Sequence, residues 1–186
     1  MAIEAELKAV VRDPEEVLDQ LEKNYGPGRP EVYQDTYYDT ADSVLGAGDR
    51  ELRVRTVHSV HDTRTFLTYK GARVDEASGS KPEYEIRTED AVAAHAILRG
   101  LGYLPVIEFE KRCRNYSFTV SGRDFLATLV LVPELDGKTF IEVETSTDEA
   151  GLAEALDTIR GVLRELGITE DDFTTEMYTD AVAAAR

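Results

Sequence analysis

The sequence predicts an α+β protein built around an eight-stranded, mostly antiparallel β-barrel tunnel with peripheral helices. The first observation is the strict alternation of apolar and charged residues from Ile3 to Ala9, the pattern of a strand with one charged face. The second is that the same spacing of charges returns on later strand-like segments, as at Arg53 and Arg55. The third is that eight such segments follow one another, and closure into a barrel would hide their edges.

The repeated charged faces favour a wet tunnel over a dry barrel. An unpaired ion buried in a dry interior costs several kcal/mol, so a packed barrel interior would exclude these charged side chains. For a single charged strand face, solvent exposure is the better explanation, and cross-strand ion pairs contribute little there. Over several strands, however, the apolar faces must pack on helices, and the charged faces then turn inward or to open solvent. We expect the charges to converge on a metal ion and a polyanion.

The elements follow in order along one domain, residues 1–186. The first helix begins after Asp13, a suitable cap, with Pro14 at its first position and Glu16 placed for a capping box. It ends near residue 25, before the glycines at 26 and 28. After the first strand, the remaining strands are predicted at 32–39, 50–57, 64–70, 81–88, 106–119, 125–132 and 139–145. A loop is predicted at 40–49, and further helices at 90–99, 148–166 and 175–185.

Composition restricts the class of partner. The formal charge is −16, from 21 basic and 37 acidic residues, and such a surface repels nucleic acid and anionic membranes. No apolar run reaches the ~20 residues of a membrane span. The N-terminus lacks a signal-peptide pattern, and the single cysteine, Cys113, fits a reducing compartment. We expect a cytoplasmic monomer or homodimer that binds any anion in an enclosed, locally basic site.

The charged residues themselves indicate the chemistry. Glutamates spaced two apart on distant strands form an oxygen-only cluster, and hard cations such as Mg²⁺ or Mn²⁺ choose such ligands. Metal and basic residues together would neutralise a triphosphate, whose transfer depends on positioning and charge stabilisation. The basic residues on predicted strand faces are Lys8, Arg53, Arg55, Lys70, Lys81 and Lys111.

Two short motifs stand out among these charged segments: Glu4-Ala5-Glu6-Leu7-Lys8 has the form ExExK, and Leu52-Arg53-Val54-Arg55 has the form RxR. They resemble the signature and the RxR strand of the CYTH family, the triphosphate tunnel metalloenzymes. The family includes class IV adenylyl cyclases, thiamine triphosphatases and inorganic triphosphatases. Further similar segments follow in the family's order at residues 36–40, 67–71, 81–85, 101–111 and 140–144.

The resemblance implies a tunnel with a metal on one side and a triphosphate on the other. The metal-side residues it implies are Glu4, Glu6, Glu142 and Glu144. The catalytic and phosphate-binding residues it implies are Lys8, Arg53, Arg55 and Lys70, and Lys111 binds phosphate as well. We add Lys81, Arg112 and Arg114 as substrate-binding candidates. Acidic tunnel residues are expected at Glu83, Glu85 and Glu134.

Two positions depart from the family pattern. The family commonly has an arginine two residues after the lysine matched to Lys111, and this sequence has Cys113. The family also commonly has an aspartate ten residues before the first glutamate of its last strand, and this sequence has Val132. Glu134 has the same strand parity as Val132 and would substitute for the aspartate in a different hairpin register. We therefore expect one well-formed metal site.

The leading expectation is metal-dependent hydrolysis of a small triphosphate: inorganic tripolyphosphate, thiamine triphosphate or a nucleoside triphosphate. The same site would also suit a class IV adenylyl cyclase, which converts ATP to cyclic AMP. A third reading is a diverged tunnel that binds or transforms another phosphorylated metabolite, which the departures at Cys113 and Val132 keep open. The sequence shows no base-recognition pocket and does not choose among these substrates.

Overall fold

The eight predicted strands form a closed antiparallel barrel in the structure, a computed structural model that describes residues 2–186. The strands are β1 (Ile3–Val11), β2 (Arg29–Asp39), β3 (Glu51–His58), β4 (Thr63–Lys70), β5 (Lys81–Thr88), β6 (Leu104–Val120), β7 (Arg123–Leu131) and β8 (Thr139–Thr147). Around the barrel their order is β1-β5-β4-β3-β2-β6-β7-β8. The predicted fold class is confirmed.

Helices lie around the barrel and connect its strands. They are α1 (Pro14–Tyr25), α2 (Val44–Ala47), α3 (Ala91–Gly100), α4 (Leu152–Glu165) and α5 (Tyr178–Ala185). None of these helices in residues 2–186 is long and apolar enough to cross a membrane. As predicted from its start signals, α1 is capped by Asp13, whose carboxylate accepts the backbone N–H of Glu16 at 3.1 Å.

Three predicted boundaries are corrected. The expected loop at 40–49 contains the single-turn helix α2. The helix predicted at 148–166 begins only at Leu152, because β8 continues to Thr147 and a turn follows it. The helix predicted at 175–185 begins only at Tyr178, because the segment before it runs along β1, where the Thr174 N–H donates to the Lys8 carbonyl at 2.9 Å.

The main hydrophobic core lies outside the barrel, between the sheet and the helices. Ala5, Leu7 and Ala9 are buried there against Leu156 and Ile159 of α4. Because side chains alternate along a strand, burial of this face turns the charged residues of β1 into the barrel. The alternation that predicted the strand thus also decides which face lines the interior.

One part of the interior is apolar. Val130, Val132 and Phe140 form a buried cluster with Tyr178 and Val182 of α5. The Phe140 and Tyr178 rings meet edge to face, with centroids 5.2 Å apart. Helix α5 therefore covers this part of the barrel and brings Tyr178 next to the charged interior.

Candidate active site

The inward faces of the strands line a cavity of about 310 Å³. Nine basic and eight acidic side chains line it, so its charges are nearly balanced, in contrast to the −16 of the whole chain. The cavity is therefore far less acidic than the chain as a whole, which an anion-binding site requires. The basic residues are Lys8, Arg29, Arg53, Arg55, Arg64, Lys70, Arg73, Lys81 and Lys111, and the acidic ones are Glu4, Glu6, Glu31, Glu51, Glu83, Glu85, Glu142 and Glu144.

An acidic cluster forms where β1 meets β8. The register pairs Glu6 with Glu144, and Glu4 lies two residues before Glu6 on the same face. Oxygen atoms from Glu4, Glu6 and Glu144 lie within 4.8 Å of one another. We refer to these three residues as the acidic cluster.

Burial and mutual repulsion raise the pKa values of carboxyl groups in the acidic cluster. Burial, followed by the charges of Glu4 and Glu142, raises the pKa of Glu6 to about 7. Burial, with Glu4 and Glu6 nearby, raises the pKa of Glu144 well above its usual range. A divalent cation would relieve this repulsion, and three carboxylates without histidine or cysteine suit Mg²⁺ or Mn²⁺.

Glu142 lies apart from the acidic cluster, although it was predicted to be a metal ligand. Its carboxylate is 3.7 Å from the Lys111 ammonium group and lies opposite Lys8 in the β1–β8 register. Burial alone would raise the pKa of Glu142, but Lys111 and Lys8 hold it below the ordinary value. The structure thus joins three of the four predicted metal-side residues and places Glu142 with the lysines.

Lys70, predicted on the phosphate side, lies among carboxylates. Its ammonium group donates to Glu4 and lies 3.2 Å from Glu83 and 4.0 Å from Glu6. Burial alone would lower the pKa of Lys70, but Glu4, Glu6 and Glu83 raise it well above the ordinary value. Lys70 therefore balances the charges of the carboxylates on this side of the cavity.

Arg53 and Arg55 have different surroundings although both point inward from β3. Arg55 donates from Nε and Nη2 to both oxygens of Asp35, each at 2.6 Å. Asp35 is 1% exposed, and although burial alone would raise its pKa, Arg55 and Arg53 hold it well below its usual range. Arg55 is therefore committed to a buried ion pair.

Arg53 is much less constrained. Its Nη1 is 3.9 Å from Asp35, its Nη2 donates to the Thr68 hydroxyl at 3.4 Å, and its Nε has no hydrogen-bond partner within residues 2–186. A buried guanidinium with an unused donor is costly unless something else binds it. Arg53 is accordingly the basic residue best placed to receive an anion.

Lys8 and Lys111 meet at the ring of Tyr178. Their ammonium groups lie 4.4 Å and 3.8 Å from the ring centroid, within the range of cation–π attraction. Lys8 also donates to the carbonyl of Glu176, just before α5. Burial and the nearby positive charge of Lys111 lower the pKa of Lys8. The Tyr178 ring attracts both ammonium groups and thereby partly offsets their mutual repulsion.

The remaining basic and acidic lining residues are largely paired with one another. Lys81 lies 2.8 Å from Glu51 and 3.0 Å from Asp49, so its charge is already balanced. Glu85 accepts a hydrogen bond from the Thr68 hydroxyl at 2.7 Å. Both Glu83 and Glu85 line the cavity, where the sequence predicted acidic tunnel residues.

Three predicted site residues lie outside the cavity, which corrects the sequence analysis. Arg112 and Arg114 alternate with the inward-facing Lys111, so they point outward. The Arg112 side chain is 62% exposed and pairs with Glu110, while Arg114 bonds Glu22 of α1. We therefore leave both arginines out of the site.

The third predicted site residue that lies outside the cavity is Glu134. Strand β7 ends at Leu131 and Pro133 begins a short 3-10 turn, so the strand parity expected for Glu134 does not apply. Its carboxylate pairs instead with Arg186 at the surface, at 2.8 Å. Val132 is buried in the apolar cluster beneath α5. Cys113 is also buried, which raises the pKa of its thiol to about 12 and keeps it neutral.

Sequence reasoning missed Asp35, Tyr178 and a neutral section of the lining. Asp35 could have been found from strand parity, because it shares the inward parity of β2, although its pairing with Arg55 depends on the β2–β3 register. Tyr178 lies on the last helix, where no charge pattern marks it. The neutral part of the lining includes Tyr33, Val57, Phe66, Asn115 and Leu126, although Tyr33 and Asn115 also bond the carboxylate of Glu31.

Comparisons with known proteins agree with this geometry. A protein of Methanocaldococcus jannaschii, named as a candidate adenylate cyclase, is 27% identical over 180 residues, covering 96% of this chain and 97% of the relative. A solved structure from Pyrococcus horikoshii OT3 is 29% identical, with a TM-score of 0.85 and coverage of 98% and 99% of the two chains. A Hippeastrum protein, named as a candidate adenylyl cyclase with a dominant triphosphatase activity, shares the fold at 16% identity, with a TM-score of 0.65 and coverage of 100% and 97%. The profile of the CYTH domain matches residues 2–178, and the chain belongs to the CYTH family.

Proposed function

We propose that the chain hydrolyses a small triphosphate with the help of Mg²⁺ or Mn²⁺. The observation that carries the proposal is the division of one cavity into an oxygen-only acidic cluster and a basic side that includes the uncommitted Arg53. The acidic cluster would hold the cation, which would neutralise phosphate charge and make a water molecule more acidic.

The basic side would bind the triphosphate. During phosphoryl transfer, negative charge is spread over the phosphoryl oxygens, so fixed cations assist chiefly by position. Arg53 can offer two parallel N–H donors to phosphate oxygens, which lysine cannot do. Arg55, oriented by Asp35, and the lysine pair on Tyr178 supply further fixed positive charge.

An adenylyl cyclase is the second candidate, in which the ribose hydroxyl attacks the α-phosphate of ATP. It is supported by the name of the M. jannaschii relative and by the uncharged residues of the lining. A bare tripolyphosphate needs cations only, whereas the rings of Tyr33 and Phe66 offer contacts to an organic group.

The deciding experiment is a substrate screen with the whole chain. ATP, thiamine triphosphate and inorganic tripolyphosphate are each incubated with Mg²⁺ or Mn²⁺, and both released phosphate and cyclic AMP are measured. Phosphate release supports the hydrolase, and cyclic AMP with pyrophosphate supports the cyclase. Tight tripolyphosphate binding without turnover of any substrate would contradict both and support a tunnel that binds or transforms another phosphorylated metabolite.

Replacement of Arg53 by alanine is expected to weaken tripolyphosphate binding by about 1.5–3 kcal/mol, the range for hydrogen bonds to a charged group. The melting temperature should change little, because Arg53 makes no close ion pair and water can enter the cavity. Calorimetric titration and thermal unfolding of the same variant measure both quantities. Unchanged affinity together with a lowered melting temperature would show that Arg53 is structural.

Tyr178 provides a second test of the basic side. Tyr178→Leu removes the ring beneath Lys8 and Lys111 and is expected to weaken tripolyphosphate binding by about 0.5–2 kcal/mol, the range for cation–π contacts. Tyr178→Phe keeps the ring and should bind like the wild type. An equal loss of affinity in both variants would instead assign the effect to the hydroxyl group.

A further inference from the structure

Lys70 contacts carboxylates that are also placed to hold a divalent cation. Its ammonium group donates to Glu4 and lies 4.0 Å from Glu6. Both glutamates belong to the acidic cluster, whose oxygen atoms lie within 4.8 Å of one another. The ammonium group therefore lies at the edge of the acidic cluster and is itself a cation bound to one of its members.

A second cation on the acidic cluster would compete with this ion pair. The side chains of Lys70 and Glu4 are each 14% exposed, so water screens their charges only weakly. Lys70 would therefore be repelled strongly by another positive charge on Glu4. Glu83, 3.2 Å from the ammonium group, is not a member of the acidic cluster, so Lys70 can leave Glu4 without losing every carboxylate neighbour.

A second position for the Lys70 ammonium group lies beside Arg53. The β3–β4 register pairs Arg53 with Thr68, and Lys70 follows Thr68 by two residues on the same inward face. Diagonal neighbours of this kind are about 7–8 Å apart, within reach of a long side chain. The flexible four-carbon stem of Lys70 can therefore carry its charge from Glu4 to the neighbourhood of Arg53.

We propose that Lys70 and a divalent cation compete for Glu4, and that Lys70, once displaced, binds the triphosphate beside Arg53. This exchange rests on the proposed function, in which the acidic cluster holds the metal. Metal and triphosphate then bind with positive coupling, because both favour the same position of Lys70. Lys70 is thus a positioning residue that links the acidic and basic sides of the cavity.

The first test is calorimetric titration with Mg²⁺ at about pH 8, since metal binding requires ionised carboxylates. Lys70→Met removes the competing charge and is expected to bind Mg²⁺ at least about tenfold more tightly than the wild type. Lys81→Met is the matched control, because Lys81 lines the same cavity but pairs with Asp49 and Glu51, and its affinity should change far less. Equal or weaker binding by Lys70→Met would overturn the exchange and leave the metal site in place. No Mg²⁺ binding by either the wild type or Lys70→Met would overturn the proposed function as well.

The second test is the affinity of the same proteins for tripolyphosphate, measured once with EDTA and once with saturating Mg²⁺. With EDTA, Lys70 stays on Glu4, so Lys70→Met should lose no more affinity than Lys81→Met. With Mg²⁺, Lys70→Met should bind about tenfold more weakly than the wild type, as expected when a hydrogen bond between charged groups is lost. A similar loss under both conditions would overturn the exchange and make Lys70 a permanent phosphate ligand.

A measurement on the wild type guards against a folding defect in the methionine variant. The protons of an ammonium group in a buried ion pair exchange slowly with water, which makes the group visible by nitrogen-edited NMR. Lys70→Arg keeps the charge and assigns the signal of Lys70 by its loss. Mg²⁺ alone should broaden or remove the Lys70 signal while the Lys81 signal remains. An unchanged Lys70 signal at a Mg²⁺ concentration that saturates the protein by calorimetry would overturn the proposal.

Discussion

Arg55→Ala is expected to lower the free energy of unfolding by about 3–5 kcal/mol, the usual cost of removing one partner of a buried ion pair. Asp35 is 1% exposed and receives both of its short hydrogen bonds from Arg55. Without Arg55, a buried carboxylate would face only the more distant Arg53, at 3.9 Å. Urea denaturation of the variant and the wild type measures the loss.

Arg53→Ala is the matched control, because Arg53 lies two residues away on the same inward face. It should retain most of the stability that Arg55→Ala loses. A double variant, Asp35→Leu/Arg55→Leu, removes both charges at once and should recover much of that stability, since buried pairs can be replaced by apolar residues at little cost. Equal destabilisation by Arg53→Ala and Arg55→Ala would contradict the distinction between the two arginines.

The pair also has a defined pH dependence. The folded-state pKa of Asp35 lies well below its ordinary value, so its contribution to stability is complete above the ordinary aspartate pKa of about 3.9. It is lost only as the pH falls through the folded-state pKa. At neutral pH, therefore, the contribution of Asp35 to the stability of the wild type should not depend on pH.

The barrel and much of its lining could be predicted because both depend on local periodicity. Alternation along β1 decides which side chains enter the cavity, and Glu4, Glu6 and Lys8 do so. The alternation of side chains along a strand also explains why the prediction for Arg112 and Arg114 was wrong. Both were grouped with Lys111 because of their charge, but they lie on the opposite face of β6. The parity assumed for Glu134 failed because β7 ends at Leu131 and Pro133 begins a turn.

Other features depend on how separate elements dock. The pairing of Asp35 with Arg55 is fixed by the β2–β3 register, and the position of Tyr178 is fixed by the packing of α5 on the barrel. The separation of Glu142 from the acidic cluster depends on the position of Lys111 across the cavity. None of these distances can be read from spacing along one strand.

The apo protein and the metal-bound protein are expected to respond to pH in opposite directions. The folded-state pKa of Glu6 is about 7, above its value of 4.5 in the unfolded chain. The apo fold is therefore favoured at acid pH: this contribution is fully present below pH 4.5 and is lost as the pH rises to about 7. Metal binding requires ionised carboxylates, so affinity for Mg²⁺ or Mn²⁺ should rise over the same interval as protons are released.

Glu6→Gln should abolish metal binding and weaken the pH dependence of stability, because it removes one ligand and one of the titrating carboxyl groups of the acidic cluster. Glu142→Gln is the control: this residue lies in the same cavity but faces Lys111, so metal affinity should fall far less. Thermal unfolding from pH 5 to 8, with and without the metal, measures stability, and calorimetry in two buffers of different ionisation enthalpy counts the protons released. A saturating metal, at about 100 times its dissociation constant, would stabilise the wild type by about 2.7 kcal/mol. Equal metal affinity in the wild type and Glu6→Gln would rule out the acidic cluster as the metal site.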